Sequence, residues 1–176
     1  VARWNNADGT ERSKTFSTRK AAENYLATEV TPKLAKGVAF DPNRGKARFR
    51  DVAADWLDSR PDLKETTLAA YREALAPTTE GSAKRHARLS GLRIDDTFGG
   101  YPVNAIRRED IQAWVTRMMD AGKKPSTVRN AYFIVRQVLR HAVVDGRIDA
   151  NPADYVKLPT EHNSGSHRVV DDPSQF

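Results

Sequence analysis

Cysteine is absent from the 176-residue sequence, and methionine occurs only twice. Without cysteine the chain cannot form disulfides or cysteine-ligated zinc sites. No apolar run approaches the roughly 20 residues that a membrane-spanning helix requires, and the first residues show no signal-peptide pattern. The glycine patterns of nucleotide-binding loops are missing as well. These absences argue against a disulfide scaffold, a membrane-spanning protein and the common nucleotide-binding enzymes.

Residues suited to metal binding are also poorly arranged. Two pairs of adjacent aspartates, Asp95-Asp96 and Asp171-Asp172, lie in turn-like segments, where solvated side chains are the usual outcome. None of the four histidines belongs to a convincing zinc-site pattern: they are His86, His141, His162 and His167. We therefore expect no metal or other cofactor.

The charge of the chain is positive and unevenly distributed. There are 29 lysines and arginines against 23 acidic residues, which gives a net charge of +6 and a pI near 9.7. Residues 122–147 alone hold six cationic side chains and one carboxylate, whereas 51–75 and 148–176 are acidic. Such alternation indicates local basic surfaces and not a diffuse basic tail. A localised basic surface favours a polyanionic partner, above all nucleic acid.

The strongest helical pattern lies between Gly122 and Pro159. Arg129, Arg136 and Arg140 fall nearly in one line at about 100° per residue. This line suits the phosphates of a duplex, although the solvated face of any small helical bundle has the same pattern. The opposite face predicts a buried apolar stripe made of Val128, Ala131, Val135, Val138, Leu139 and Ala142.

The ends of this helix are marked by residues that favour caps. Ser126 or Thr127 is expected to cap the first free N–H groups, and Asp145-Gly146 is expected to stop the helix. Three earlier helices are predicted from apolar stripes: Phe49–Arg60, a second beginning near Lys64 and containing Leu68, Tyr71 and Leu75, and Arg108–Ala121.

The first 30 residues combine strands with a helix. Val1–Asn6 and Glu11–Ser17 predict a hairpin around an Asp-Gly turn, and Ser17 or Thr18 is expected to cap a helix that runs towards Val30. A structural cap, or a fragment of a larger sheet, is one interpretation. The other interpretation is a sheet that enters a DNA groove. Strand alternation does not decide which face of the strands would meet the DNA. The expected contacts are Arg3, Asn5, Arg12 and Lys14.

Two segments lack a clear periodicity. Residues 31–48 hold prolines, glycines and several cations, so they predict either a solvated linker or a tether that contacts phosphate through Lys46 and Arg48. Residues 77–93 form a long basic insertion, which either extends the preceding helix or makes a flexible flap over DNA.

Several short motifs together resemble one family. From Gly122 the sequence reads G-x-x-P-S-T, followed after the helix by D-G-x-I, N-P-A and L-P. T-x-x-x-Y begins at Thr67, and F-G-x-x-P-V begins at Phe98. In this order they resemble the core-binding domain of the tyrosine recombinases, the phage integrase family. Residues 1–30 resemble the arm-binding module of phage integrases, which has three strands where only two fit here.

The resemblance implies a mainly α fold. A small α+β module (1–30, short antiparallel sheet plus helix, lacking its first strand) would precede a basic linker (31–48). A four-helix, SAM-like core-binding bundle (49–158) and a linker towards an absent catalytic domain (159–176) would follow. The second and last helices of the bundle would enter the major groove, with contacts from Lys64, Thr66, Thr67, Arg72, Ser126, Thr127, Arg129, Arg136 and Arg140.

The function implied is sequence-specific duplex DNA binding in site-specific recombination at attachment sites. The partners would be arm and core DNA, other recombinase protomers and, as a further candidate, a host DNA-bending protein. The location would be the bacterial cytoplasm, in association with the nucleoid. We expect no catalysis, because the family's nucleophile belongs to the later domain and not to Tyr25, Tyr71, Tyr101, Tyr132 or Tyr155. A stand-alone DNA-binding regulator and a helical protein-interaction module remain the alternatives.

Overall fold

The computed structural model describes residues 1–6, 8–35, 37, 41, 43–78 and 92–160. Its described part is mainly helical, with one small sheet at the N-terminus. The strands are β1 (Ala2–Asn5) and β2 (Glu11–Lys14), and the α-helices are α1 (Arg19–Tyr25), α2 (Thr31–Ala35), α3 (Phe49–Asp58), α4 (Glu65–Leu75), α5 (Arg108–Asp120) and α6 (Pro125–Val144). The predicted mainly α fold with an N-terminal antiparallel sheet is thus confirmed.

The N-terminal hairpin pairs β1 and β2 antiparallel, with Arg3 opposite Ser13. Gly9 closes the turn with a φ of 80°, a conformation that glycine adopts without steric cost. One face of the sheet packs on the helix that follows. The small core formed there consists of Ala2, Trp4, Ala22 and Val30, with Phe16, Tyr25, Leu26 and Leu34 packed against it.

The helix after the hairpin is longer than the sequence predicted. Thr18 caps it as expected, its Oγ1 accepting from the Ala21 N–H at 3.2 Å. Beyond α1 the chain continues through a π-helical turn, Leu26–Val30, into α2. Pro32 does not end it, since a proline in the first turn of α2 sacrifices no hydrogen bond within that helix. Residues 31–35 are therefore helical, where a linker had been expected.

The larger core is built by α3, α4, α5 and α6. The predicted stripes of α3, α5 and α6 pack into it, whereas on α4 Leu75 is buried, Tyr71 packs partly against the core, and Leu68 is half-buried outside it. Trp56 and Trp114 lie inside it, and Trp114 Nε1 donates to the Leu92 carbonyl at 2.8 Å. The central residues of α6 are among the most deeply buried: Val128, Val135, Val138, Leu139 and Ala142 have no exposed surface. This stripe fixes which side of α6 faces outward.

Glycine ends both α5 and α6 in the same way. The Gly122 and Gly146 φ angles are 72° and 67°. At the end of α6 the Arg147 N–H donates to the Ala142 carbonyl at 2.8 Å, and the Gly146 N–H donates to Val143 at 3.0 Å. This pair of bonds satisfies carbonyls that a helix end leaves free. The predicted stops at both glycines are confirmed.

The predicted start of α6 was wrong by two or three residues. Lys124 is the capping residue and makes no side-chain capping bond, while Pro125 occupies the first helical position. Ser126 and Thr127 thus lie inside the first turn. Proline lacks the N–H that would be unpaired there, and its fixed φ suits the helix, so the helix begins at Pro125 and not after it.

Residues 43–48 pack on the helical bundle and do not hang free. A 3₁₀ turn, Arg44–Lys46, places Gly45 against the Arg147 carbonyl, where a Cβ would stand 2.7 Å from the oxygen. The Val103 N–H donates to the Ala47 carbonyl at 2.9 Å. Most of the 77–93 insertion lies outside the described residues, so its two predicted forms stay open.

The segment after α6 is fastened back onto the bundle. The buried Tyr132 hydroxyl donates to the Ala153 carbonyl at 2.6 Å, and Asn151 Nδ2 donates to the Arg136 carbonyl at 3.0 Å. Farther along, the Gln112 amide makes two bonds with the Lys157 backbone, at 3.1 and 2.8 Å. Residues 151–158 therefore follow a fixed path from α6 to α5.

Candidate nucleic-acid interface

The outward face of α6 carries three arginines, as the spacing predicted, and also an aromatic ring. Arg129, Arg136 and Arg140 lie opposite the buried valines, and Arg140 is exposed. Phe133 lies among them and keeps 40% of its surface exposed. The face is thus basic with an apolar centre.

Arg136 is engaged by the tail segment. Its Nε donates to Asp154 Oδ1 at 2.8 Å, and both side chains remain about 40% exposed, at 40% and 41%. A carboxylate at this distance offsets much of the positive potential that Arg136 would present to a phosphate. Within the described residues, Arg129 and Arg140 make no ion pair. The two form the open cationic part of the face.

The start of α6 adds neutral donors. Ser126 and Thr127 are exposed in its first turn. Lys124 makes no side-chain capping bond, so the first N–H groups of α6 receive no cap from it. Free N–H groups at a helix start, together with hydroxyls and the nearby Lys123 and Lys124, suit a phosphate oxygen.

The helix α4 lies beside α6. A groove of about 300 Å³ runs between them, with Ala70 and Ala74 on one wall and Thr127 and Ala131 on the other. The two helices that the resemblance assigned to one DNA groove thus both line this cleft. The groove itself is mainly apolar, so any phosphate contact must come from the residues on its outer rim.

The predicted DNA contacts on α4 differ in their exposure and in their ion pairing. Lys64 precedes the helix and is exposed, as is Thr66, whereas Thr67 is half-buried. Arg72 Nη1 lies 3.4 Å from Glu65 Oε1, an exposed pair that solvent and salt weaken. Lys64 and Thr66 therefore lie at the open end of α4, and Arg72 is partly neutralised by its own helix.

The four candidates of the hairpin do not share one surface. Directly paired residues of an antiparallel sheet project to the same face. Because Ala2 and Trp4 are buried against the helix, their partners Lys14 and Arg12 lie on that side too. Arg12 Nη2 is 3.1 Å from Asp41 Oδ2, and Lys14 Nζ is 4.3 Å from the centroid of the Tyr25 ring.

Arg3 and Asn5 occupy the other, open face of the hairpin. Both are exposed, and Arg3 Nη1 lies 3.8 Å from Glu11 Oε1. The question of which strand face is open is answered by the register: it is the face of Arg3, Asn5, Glu11 and Ser13. Arg12 and Lys14 lie on the opposite face, where they contact Asp41 and the Tyr25 ring.

Lys46 and Arg48 lie where the chain enters the bundle. Both are exposed, Lys46 in the 3₁₀ turn and Arg48 as the residue that precedes α3. Arg48 also pairs its backbone with Pro102 in an isolated bridge. The backbone that carries these two cations is therefore held in place by hydrogen bonds.

The N-terminal module touches the bundle through polar contacts. Lys33 Nζ lies 2.9 Å from Asp149 Oδ1 and 3.9 Å from Glu29 Oε2. A polar cavity of about 330 Å³ adjoins this pair, with Lys14 and Arg147 also in its lining. The two apolar cores remain separate clusters.

Comparison with protein families gives a match over the bundle. Residues 49–158, well over half of the chain, match the model described as the phage integrase central domain. The chain belongs to the phage integrase family. Membership of this family associates the chain with DNA binding and site-specific recombination in general. No curated protein and no solved structure shows significant similarity to this chain.

Two negative findings accompany this assignment. Among the described residues of the integrase, no helix is long and apolar enough to cross a membrane. The same part of the chain contains no cluster of three potential metal ligands.

Two side chains at this face were not predicted from the sequence. Phe133 follows Arg129 by four residues, so helical spacing places it on the same arc as the arginines. Asp154 neutralises Arg136 from 18 residues away, and no local pattern announces such a pair. The tail motif N-P-A, at Asn151, was the only indirect sign that this segment returns to α6.

Proposed function

We propose that this integrase-family chain binds duplex DNA sequence-specifically, with α6 and α4 against the major groove of a core-type site. The observation that carries the proposal is the outward face of α6. Arg129 and Arg140 are unpaired among the described residues, on a helix whose opposite side is completely buried. A rigid helix with free guanidinium groups suits phosphates at the walls of a groove and base edges within it.

The N-terminal module is proposed to hold a second, arm-type DNA sequence. Its open sheet face offers Arg3 and Asn5, and a strand pair fits the major groove. Arg12 and Lys14 lie on the other side of the hairpin and are proposed to contact the flanking backbone. Lys46 and Arg48 are proposed to contact phosphate between the two sites.

The reaction served by this binding is proposed to be recombination at phage and bacterial attachment sites. Bridging of arm and core DNA by other recombinase protomers, with a host DNA-bending protein where the site requires one, belongs to the same proposal. We expect this chain to bind without cutting. A covalent protein–DNA adduct formed by it on a nicked attachment-site substrate would contradict that expectation.

The decisive experiment is a salt titration of DNA binding. Arg129→Ala and Arg140→Ala should each weaken binding to duplex DNA and reduce the slope of log K against log salt by about one if they contact phosphate. If either contacts a guanine, its loss should cost roughly 1–3 kcal/mol and relax preference at one base pair. Arg108→Ala, in the first turn of α5 and beside Glu109, is the matched control.

The outcomes separate the competing functions. Salt-insensitive or undetectable DNA binding by the unaltered chain would contradict the proposal and favour a protein-interaction module. Wild-type binding by both arginine variants at every salt concentration would show that the outward face of α6 is only solvated. A sequence-specific regulator would bind the same way but would not support recombination when joined to a catalytic domain.

A further inference from the structure

Phe133 is an apolar side chain at the centre of a basic face. Arg129 precedes it by one helical turn, Arg136 follows it by one turn, and Arg140 lies two turns on. Apart from Val144 at its last position, the other large apolar side chains of α6 are buried or partly buried. An exposed phenylalanine on an otherwise polar arc keeps water against its ring unless a partner covers it.

The ring of Phe133 has a defined orientation. It packs edge-on against Tyr132, with ring centroids 5.4 Å apart and an interplanar angle of 63°. Tyr132 is in turn fixed by its bond to the Ala153 carbonyl. A supported aromatic ring loses little conformational freedom when a partner covers it, so it is suited to specific contact.

The neighbouring charges define the chemistry of that partner. A surface that pairs with Arg129 and Arg140 must be anionic on both sides of Phe133, yet apolar where the ring touches it. In a B-form major groove the phosphates form the two walls, and the apolar group among the base edges is the C5 methyl of thymine. The groove is about 12 Å wide, which is enough to admit an α-helix such as α6.

Resting on the DNA binding proposed above, we infer that Phe133 is a specificity-determining residue that contacts a thymine methyl group at the middle of the site read by α6. The arginines then hold the flanking phosphates and the ring selects the base pair between them. The chemistry is shared with 5-methylcytosine, which carries the same methyl group at the same position of the groove.

The test removes the methyl group from the DNA. A duplex selected by this protein from a randomised library is resynthesised with each thymine replaced in turn by deoxyuridine, which lacks only that methyl. At one or two positions the wild-type chain should lose about fourfold in affinity, the factor for one buried methyl group. Phe133→Ala should bind more weakly and show no loss at those positions, while Phe133→Leu should keep part of the sensitivity.

A second exposed aromatic side chain provides the control. Tyr101 is 55% exposed in the loop before α5 and lines two cavities to which α6 contributes no residue, so Tyr101→Ala should retain the full deoxyuridine sensitivity. Thermal melting of each variant identifies any loss caused by unfolding. Tight, salt-dependent binding that is indifferent to deoxyuridine at every position would overturn this inference alone. Deoxyuridine sensitivity that persists in Phe133→Ala would overturn it too, whereas absence of any duplex binding would overturn the proposed function with it.

Discussion

Arg136 on α6 and Asp154 in the tail form an ion pair, with 2.8 Å between Arg136 Nε and Asp154 Oδ1. The pair joins the outward face of α6 to the segment that follows the helix. It also makes Arg136 unlike Arg129 and Arg140, although the three are equivalent by spacing. The carboxylate accepts the hydrogen bond that Arg136 Nε would donate to a phosphate in the proposed complex.

Replacement of Asp154 by asparagine should strengthen DNA binding. The change removes one negative charge and frees Arg136 for phosphate, so the salt slope should steepen by up to about one. The loss in folding stability should stay below about 1 kcal/mol, since the pair is well exposed. Glu109→Gln, at the start of α5, removes the same charge elsewhere and should alter affinity less. Equal effects of the two changes would mean that only net charge matters.

Tyr132 predicts a loss of stability in alkali. Burial raises the pKa of Tyr132 above its ordinary value of 10.0, Asp154 raises it further, and Arg136 opposes them. The folded state holds the phenolic proton of Tyr132 more tightly than the unfolded state does. The resulting contribution to folding stability is complete below pH 10 and is lost as the pH rises from there through the raised pKa. Tyr132→Phe should show a smaller decline in melting temperature between neutral and alkaline pH. Tyr25, whose pKa burial also raises, remains in both proteins.

The boundary between linker and bundle can be tested by trimming. A chain that starts at Asn43 should unfold cooperatively and keep the bond from the Val103 N–H to the Ala47 carbonyl. A chain that starts at Phe49 loses that bond and the packing of Gly45, so it should be less stable by about 1–2 kcal/mol. Both are compared by thermal denaturation. Failure of the longer fragment to fold would show that the N-terminal module and the bundle are one domain.

Gly99 and Gly100 offer a matched pair of substitutions. A Cβ on Gly99 would overlap Asp95 Oδ1, a buried atom without a hydrogen-bond partner, and would crowd Arg50. Gly99→Ala should therefore cost about 1–3 kcal/mol through overpacking and disturbance of the Arg50–Asp95 pair. Gly100 has open space and a φ of −84°, so Gly100→Ala should be neutral or slightly stabilising. Equal melting temperatures for the two variants would contradict this account.

Local patterns were sufficient for the helices of the bundle. The stripe of α3 around Trp56 and that of α5 around Trp114 were predicted and are buried, because helical spacing alone decides which side chains share a face. The glycine stops were predictable for a similar reason, since Gly122 and Gly146 supply a conformation that other residues avoid.

Other features depend on residues far apart in the chain and were not predictable in this way. The pairing of Arg136 with Asp154 follows from the path of the tail, which Tyr132 and Asn151 determine. The open face of the hairpin follows from the register, which places Lys14 opposite Ala2. Strand alternation alone left that choice undecided. At the start of α6, a competing local signal, Pro125, prevailed over the hydroxyl residues.

The two bonds between the Gln112 side chain and the Lys157 backbone have a mechanical consequence. The Gln112 side-chain amide donates to the Lys157 carbonyl and accepts from the Lys157 N–H, as a neighbouring β-strand would. The chain beyond α6 is therefore attached to α5 by two bonds that must break together. Tension applied past Leu158 would reach α5 through Gln112 before it reached α6 through Tyr132 and Asn151. Two helices would then share the load, and the outward face of α6 would keep its orientation while the following chain is pulled.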